Sequence, residues 1–427
     1  MTKSLSHTRA DRAVDQFLRQ SRLGRQLGFS HQLIEDHEFH GDTITIGGRE
    51  LVNFGLCCYL GLGDDPRVVE AAIDAVTRYG NSYSSSVAYT ALPLYGDLRE
   101  RLGAMLDAPV VVAASTSLAH FAALPVMVRR GDVVIVDALA HASILAVLPT
   151  LEANGAEVRQ VPHNDLARVS DLAAAATQRS WYLIDGLYSM AGDTAPAEEL
   201  MLLFSTHPEL WVYCDDAHGF GWDGARGQGQ FLRRAGWHDR LVMSFGLAKS
   251  FGTMGGVIAA RDEDLIEAIE VTGGPMVFGG PLPPPVLGAS IAAADIHLSD
   301  ELPGLQAELM GRIRFVAEHS SRIGLPLGSK ELTPLWWVEI GPVMSTASVV
   351  SSLLNEGFFV NGAVFPAVPR GRGGVRFTVT RYNSLAQIES MLDLLNQARL
   401  EHAGQDDIID LTALEDPETE SSAQGDD

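Results

Sequence analysis

Three things are scarce in this chain, and each shortage excludes something. Cysteine appears only as Cys57, Cys58 and Cys214. That set makes no disulfide framework, and an adjacent pair plus one residue in an apolar run read as reduced, mostly buried thiols. No four ligands fall at zinc spacing, so no metal site is expected. Positive charge is also short: 31 Lys and Arg against 54 Asp and Glu leave a net charge of −23. Binding to nucleic acid requires a basic surface that neutralises phosphates, so no nucleic-acid partner is expected. Long apolar runs are missing as well. Nothing approaches the roughly 18 consecutive apolar residues of a membrane-crossing helix, and no membrane partner is expected. The first thirty residues are polar and charged, with no apolar segment of a secretory signal. A cytoplasmic location is the default expectation. A mitochondrial transit peptide fits less well, because Asp11 and Asp15 break its acid-poor pattern.

What is present is a globular composition, 46% hydrophobic and 20% charged. The length suggests roughly two or three domains. Part of the acidity is local, with nine acidic residues and no Lys or Arg from Gln405 to Asp427. Such a segment is expected to be a disordered, solvating tail. Between Leu51 and Gly280, β-branched runs alternate with amphipathic helical stretches. The strand candidates are 109–113, 132–137, 181–185, 210–216, 241–245 and 255–260. Ala142–Ala153 and Leu166–Thr177 are among the intervening helices. Alternation of this kind builds an α/β fold, a mostly parallel sheet with helices on both faces. Ligands of such sheets sit at the carboxyl ends of the strands.

Helix breakers cluster from Gly279 to Pro285, and the pattern then changes. A long helix is expected over Val286–Arg322, then a strand at 335–341, a helix over Ala347–Glu356, a strand at 374–380 and a helix over Leu385–Ala403. This reads as a smaller C-terminal α+β domain. The expected division is an N-terminal helical arm (1–50), a large domain (51–285), a small domain (286–403) and the acidic tail (404–427).

Four polar groups directly follow strand candidates. Lys249, in Ser244-Phe-Gly-Leu-Ala-Lys-Ser-Phe-Gly252, comes after an apolar strand and lies among small residues. Desolvation in such a place lowers a lysine pKa and frees its amine for catalysis; the alternative is a loop lysine with a surface ion pair. Asp215, in Cys214-Asp-Asp-Ala-His-Gly219, ends a very apolar strand. A carboxylate buried there needs a partner. The ring nitrogen of pyridoxal phosphate (PLP) is one such partner, and a metal held by Asp and His is another. His141, after Asp137-Ala-Leu-Ala140, is either a helix-start residue or a ring stacked on an aromatic cofactor. Ser115-Thr116-Ser117 precedes a helix, where backbone N–H groups and hydroxyls suit a phosphate or an ordinary N-cap.

Taken in order and spacing, these groups resemble the α-oxoamine synthases, PLP-dependent enzymes of fold type I. The likeness runs from about Leu51 to Leu395, anchored by Tyr59-Leu-Gly-Leu62, Tyr79-Gly80, Asp137 to Ser143, Tyr188-Ser-Met-Ala-Gly-Asp193, Asp215 to Gly219 and Lys249 to Gly252. The resemblance implies that Lys249 carries the cofactor as a Schiff base and shuttles a proton, and that Asp215 pairs with the pyridine nitrogen. It implies that His141 stacks on the ring, and that Ser189 and His218 flank the phenolic oxygen. Thr116 and Ser117 would meet the phosphate through their amides, and Arg376 would grip a substrate carboxylate. The implied reaction condenses an amino acid with an acyl thioester, carried by coenzyme A or a carrier protein, and loses carbon dioxide to give an α-aminoketone. A homodimer with the site at its interface is implied too.

The chain departs from the family at several places. Gly246 stands for a Ser or Thr that binds phosphate, and Gly279-Gly280 for a Ser-Thr pair that reaches the neighbouring subunit's phosphate. Leu56-Cys57-Cys58 replaces Ser-Asn-Asp. Val87 and Tyr95 replace a basic residue and a histidine, and Asn383 replaces a histidine. These changes point to altered substrates and a specialised biosynthetic role. They also leave open another PLP reaction on the same scaffold (transamination, aldol cleavage or decarboxylation) or a non-catalytic partner subunit.

Overall fold

The structure is a computed structural model that describes residues 18, 21, 22, 24–365 and 367–402. The start of the expected arm and the whole acidic tail lie outside the described residues. The main sheet has seven strands: β3 (Val110–Ala113), β4 (Val133–Asp137), β5 (Glu157–Val161), β6 (Ser180–Asp185), β7 (Leu210–Asp215), β8 (Leu241–Gly246) and β9 (Gly256–Ala260). Their order is β3-β9-β8-β7-β6-β4-β5. The five from β8 to β5 run parallel, and β9 is antiparallel to both of its neighbours.

Alternate side chains of a strand leave opposite faces, and here both faces are buried. In β7, Val212 and Cys214 join a core that includes Leu98, Leu200 and Leu287, whereas Tyr213 joins one that includes Ala122, Leu151 and Ile266. That double burial is why these strands read as continuous apolar runs. It also leaves few places for charge, and Asp137, Asp185 and Asp215 all fall at the carboxyl ends of β4, β6 and β7. Register places Asp185 directly beside Asp215.

A second sheet, β10 (Leu335–Gly341), β13 (Gly373–Thr378) and β12 (Asn361–Ala363), is antiparallel and packs against the helix Val343–Asn355. A third joins β1 (Thr43–Ile46) and β2 (Arg49–Asn53) to β11 (Phe358–Phe359), so an early segment of the chain pairs with a late one. The expected α/β architecture with a C-terminal α+β region is thus observed.

Differences from expectation have local causes. The helix expected over Ala142–Ala153 is two short helices, Ala142–Leu145 and Leu148–Ala153. Pro149 has no N–H to continue the first one. Pro303 acts alike, dividing the long stretch into Pro284–His297 and Leu302–Ile323. The edge strand β5 escaped notice because Glu157, Arg159 and Gln160 are exposed and leave no apolar run.

One close approach tests the packing. A Cβ on Gly256 would lie 2.5 Å from the backbone of Ser115 and Thr116, where the helix Thr116–Met127 begins. Gly256→Ala is expected to destabilise the protein by about 1–3 kcal/mol, read as a lowered urea midpoint. An unchanged midpoint would show that the helix start is free to move.

Candidate active site

The carboxyl ends of β4, β6, β7 and β8 open into a cleft. Its lining brings together five of the residues singled out from sequence, namely Thr116, His141, Asp215, His218 and Lys249. Asp185 joins them, although its sequence showed only the end of a strand.

Asp215 forms the buried floor. Tyr213 and Asp215 are two apart on β7 and leave the same face, toward the helix Thr116–Met127. One turn into that helix, His120 meets both, with Nε2 at 3.0 Å from Asp215 Oδ2 and Nδ1 at 2.7 Å from the Tyr213 hydroxyl. An ionised carboxylate only accepts, so Nε2 donates to Asp215, while Nδ1 pairs with the tyrosine hydroxyl. The Ala217 amide donates to the other carboxylate oxygen. Burial works to raise the Asp215 pKa, but His120, then Lys249 and His141, outweigh it and hold the carboxyl below the usual range. Asp185 goes the other way: burial, reinforced by the Asp215 charge, pushes its pKa well above that range. Of this adjacent pair, Asp215 carries the negative charge.

His141 caps the short helix at Ala142–Leu145 and stands exposed at the cleft mouth. Its Nδ1 accepts from the Ser143 hydroxyl (2.6 Å) and amide, and its own amide donates to Asp185 Oδ1 at 2.9 Å. Desolvation lowers the ring's pKa, with Lys249 and His120 adding to the effect against Asp215. His218 is buried, its Nδ1 2.7 Å from the Tyr59 hydroxyl, and burial pushes its pKa well below the ordinary value. Both rings are therefore neutral near pH 7.

Lys249 sits in the loop after β8, half-exposed, and makes no ion pair among the described residues. The loop itself is pinned. Thr253 N donates to Leu247 O, Thr253 and Ser290 hydroxyls meet at 2.8 Å, and Phe251 stacks between Phe220 and His297. Across the cleft, the amides of Thr116 and Ser117 find no acceptor among the described residues, since the Ser115 cap serves Leu118. Such a helix start favours an anion.

Ser117, Ser189 and Arg376 do not line this cleft. Ser117 is exposed beside Thr116. Ser189 lies at the tip of the loop after β6, where its carbonyl accepts from Arg376 Nε at 2.6 Å. Arg376 also reaches Cys57 Sγ at 3.8 Å.

The departures have structural explanations. A Cβ on Gly246 would lie 3.0 Å from Thr116 Oγ1 and 3.1 Å from Ala217 Cβ, so the Thr116 hydroxyl occupies space that a larger residue at 246 would need. Gly280 has φ +76, a conformation that L side chains rarely adopt. Asn383 is buried, accepting from Thr380 and donating to the Asn53 carbonyl. Tyr95 accepts from the Leu282 amide at 2.6 Å in a second cleft with Asn81, Ser84 and Pro281. Sequence reasoning passed over His120 as well as Asp185. The clue to His120 is a histidine four residues after Thr116 on an otherwise apolar helix.

Residues 49–392 match the family model for aminotransferase class I and II. The chain is 31% identical to the 8-amino-7-oxononanoate synthase of Symbiobacterium thermophilum, covering 86% of this chain and 93% of that one. It is 32% identical to the enzyme of the same name from Maricaulis maris, covering 84% and 90%. Among solved structures, the Sphingomonas wittichii serine palmitoyltransferase shares the fold at TM-score 0.84 and 22% identity, over 92% of this chain and 99% of that one. The chain belongs to the aminotransferase class I and II family, in the branch of the α-oxoamine synthases.

The contact between positions 116 and 246 is open to a double-mutant cycle. Gly246→Ala is expected to destabilise by about 1 kcal/mol. Combined with Thr116→Ala, which removes the crowding hydroxyl, it should cost at least about 0.5 kcal/mol less than the sum of the two singles. Strict additivity in urea unfolding would contradict the contact.

Proposed function

We propose that the protein is a PLP-dependent acyltransferase that condenses an amino acid with an acyl thioester and releases carbon dioxide and a thiol, leaving an α-aminoketone. One C–C bond forms at the amino acid's Cα, the C–S bond of the thioester breaks, and the bond to the carboxylate carbon is lost. The observation that carries this reading is a buried, ionised Asp215 braced by His120 in one cleft with Lys249, which makes no ion pair among the described residues.

The residues fit the cofactor. Asp215 offers a fixed negative charge to a protonated pyridine nitrogen, the free amides at Thr116 and Ser117 suit its phosphate, and Lys249 has an amine free for covalent attachment. When bound, PLP supplies an electron sink for negative charge at Cα. Lys249 removes and returns the Cα proton. His141, neutral and anchored through Ser143, would cover the cofactor and orient the acyl group. His218 from within the cleft, and Ser189 from the loop after β6, would hold the cofactor's phenolic side. Arg376 binds the substrate carboxylate, since Ser189 and Cys57 occupy only Nε and one terminal nitrogen and leave a donor for a carboxylate oxygen.

A homodimer is supported by two exposed aromatic side chains on linked segments. Phe278 and Tyr89 are 87% and 84% exposed, and Ser86 Oγ joins their segments through the Val277 carbonyl at 2.6 Å. No helix among the described residues is long and apolar enough to cross a membrane.

The holoenzyme, screened with amino acids and acyl thioesters, should release free thiol and carbon dioxide in equal amounts. Lys249→Ala should slow this by about 10³-fold or more without lowering the urea midpoint. Thiol release without carbon dioxide, or a fully active Lys249→Ala variant, would refute the reading.

A further inference from the structure

One charged cluster lies outside the cleft and is used by none of the roles above. Asp137 ends β4 fully buried, and its oxygens accept from the Leu139 amide (2.8 Å), the Asn164 amide (2.8 Å) and the Tyr182 hydroxyl (3.3 Å). His163, in the turn after β5, adds Nδ1 at 2.9 Å from Asp137 and Nε2 at 2.6 Å from Asp193. With both ring nitrogens facing carboxylates, the imidazole is a double donor, which requires its charged form. Its ring packs edge-on against Tyr188 at 4.4 Å.

The two carboxylates belong to different loops of the candidate site. Asp137 fixes the turn through Leu139 that leads to His141. Asp193 closes the loop after β6 that carries Ser189, where the Tyr188 amide donates to the Asp193 carbonyl. That loop also touches the second sheet. A Cβ on Gly192 would lie 2.3 Å from the Leu335 carbonyl, Thr333 Oγ1 donates to Gly192 O, and Arg376 donates to Ser189 O.

We propose that His163 is a positioning residue whose two ion pairs clamp the His141 turn to the Ser189 loop, and through that loop set Arg376 relative to the cleft. This rests on the roles proposed above for His141, Ser189 and Arg376. The groups facing His163 are Asp137 from β4, Asp193 and Tyr188 from the loop after β6, and Asn164 from its own turn; Tyr182 from β6 reaches Asp137. Burial opposes its charge, but the two aspartates prevail and raise its pKa to about 9. A histidine ordinarily titrates near 6.5 when unfolded. The clamp's contribution to stability is therefore complete below about pH 6.5 and is lost as pH rises through about 9.

The test compares wild-type holoenzyme with His163→Asn and, in case that variant fails to fold, Asp193→Asn. Amide hydrogen exchange should rise about tenfold or more in 138–141 and 187–194 and stay unchanged in β7 and β8. The KM for the amino acid should rise about tenfold with a smaller change in kcat. The fall in melting temperature from pH 7 to pH 10 should be shallower in the variants than in wild type. Unchanged exchange in both loops would overturn the clamp even if the enzyme is active. If wild type takes up no PLP, the proposed function fails, while exchange and the pH dependence of melting still judge the clamp.

Discussion

A negative charge kept ionised in a buried place is the constraint on which the rest of the site depends. Asp215 lies at the end of a strand whose neighbours are apolar on both faces, where burial alone would neutralise it. His120 and the Ala217 amide prevent that by donating to one oxygen each, and Tyr213 orients His120 through its other ring nitrogen. Removing any one of these leaves a buried polar group unmatched, which is far costlier than the bond itself is worth. The adjacent Asp185 answers the same constraint by taking up a proton instead, and in that form still accepts the His141 amide.

Much of the fold was legible in the sequence because the main sheet is buried on both faces. Strands such as Leu241–Gly246 are largely apolar and buried throughout, so period and length suffice to find them. The strand Glu157–Val161 was not legible, since it is an exposed edge whose pairing with β4 comes from the sheet and not from its own residues. Proline positions, which end helices by removing a donor, explain the two helices that divided.

The site was partly legible, and its gaps have one cause. Lys249, Asp215 and His141 follow strands in sequence, so topology alone carries them to one end of the sheet. His120 acts across 95 residues of sequence to reach Asp215, and His163 across 30 to reach Asp193. Contacts of that kind depend on strand order, which no local pattern encodes. The departures at Gly246 and Gly280 looked like losses in sequence. In the structure they are accommodations, one to the Thr116 hydroxyl and one to a left-handed backbone. They leave the charged floor of the cleft intact.

Lys249 is the residue proposed to bond to the cofactor. Borohydride reduction of the protein after incubation with PLP, followed by peptide mapping, tests it most directly. A pyridoxyl group on Lys249 in the peptide following β8 is the predicted result. A pyridoxyl group on another residue, or none at all, would contradict it.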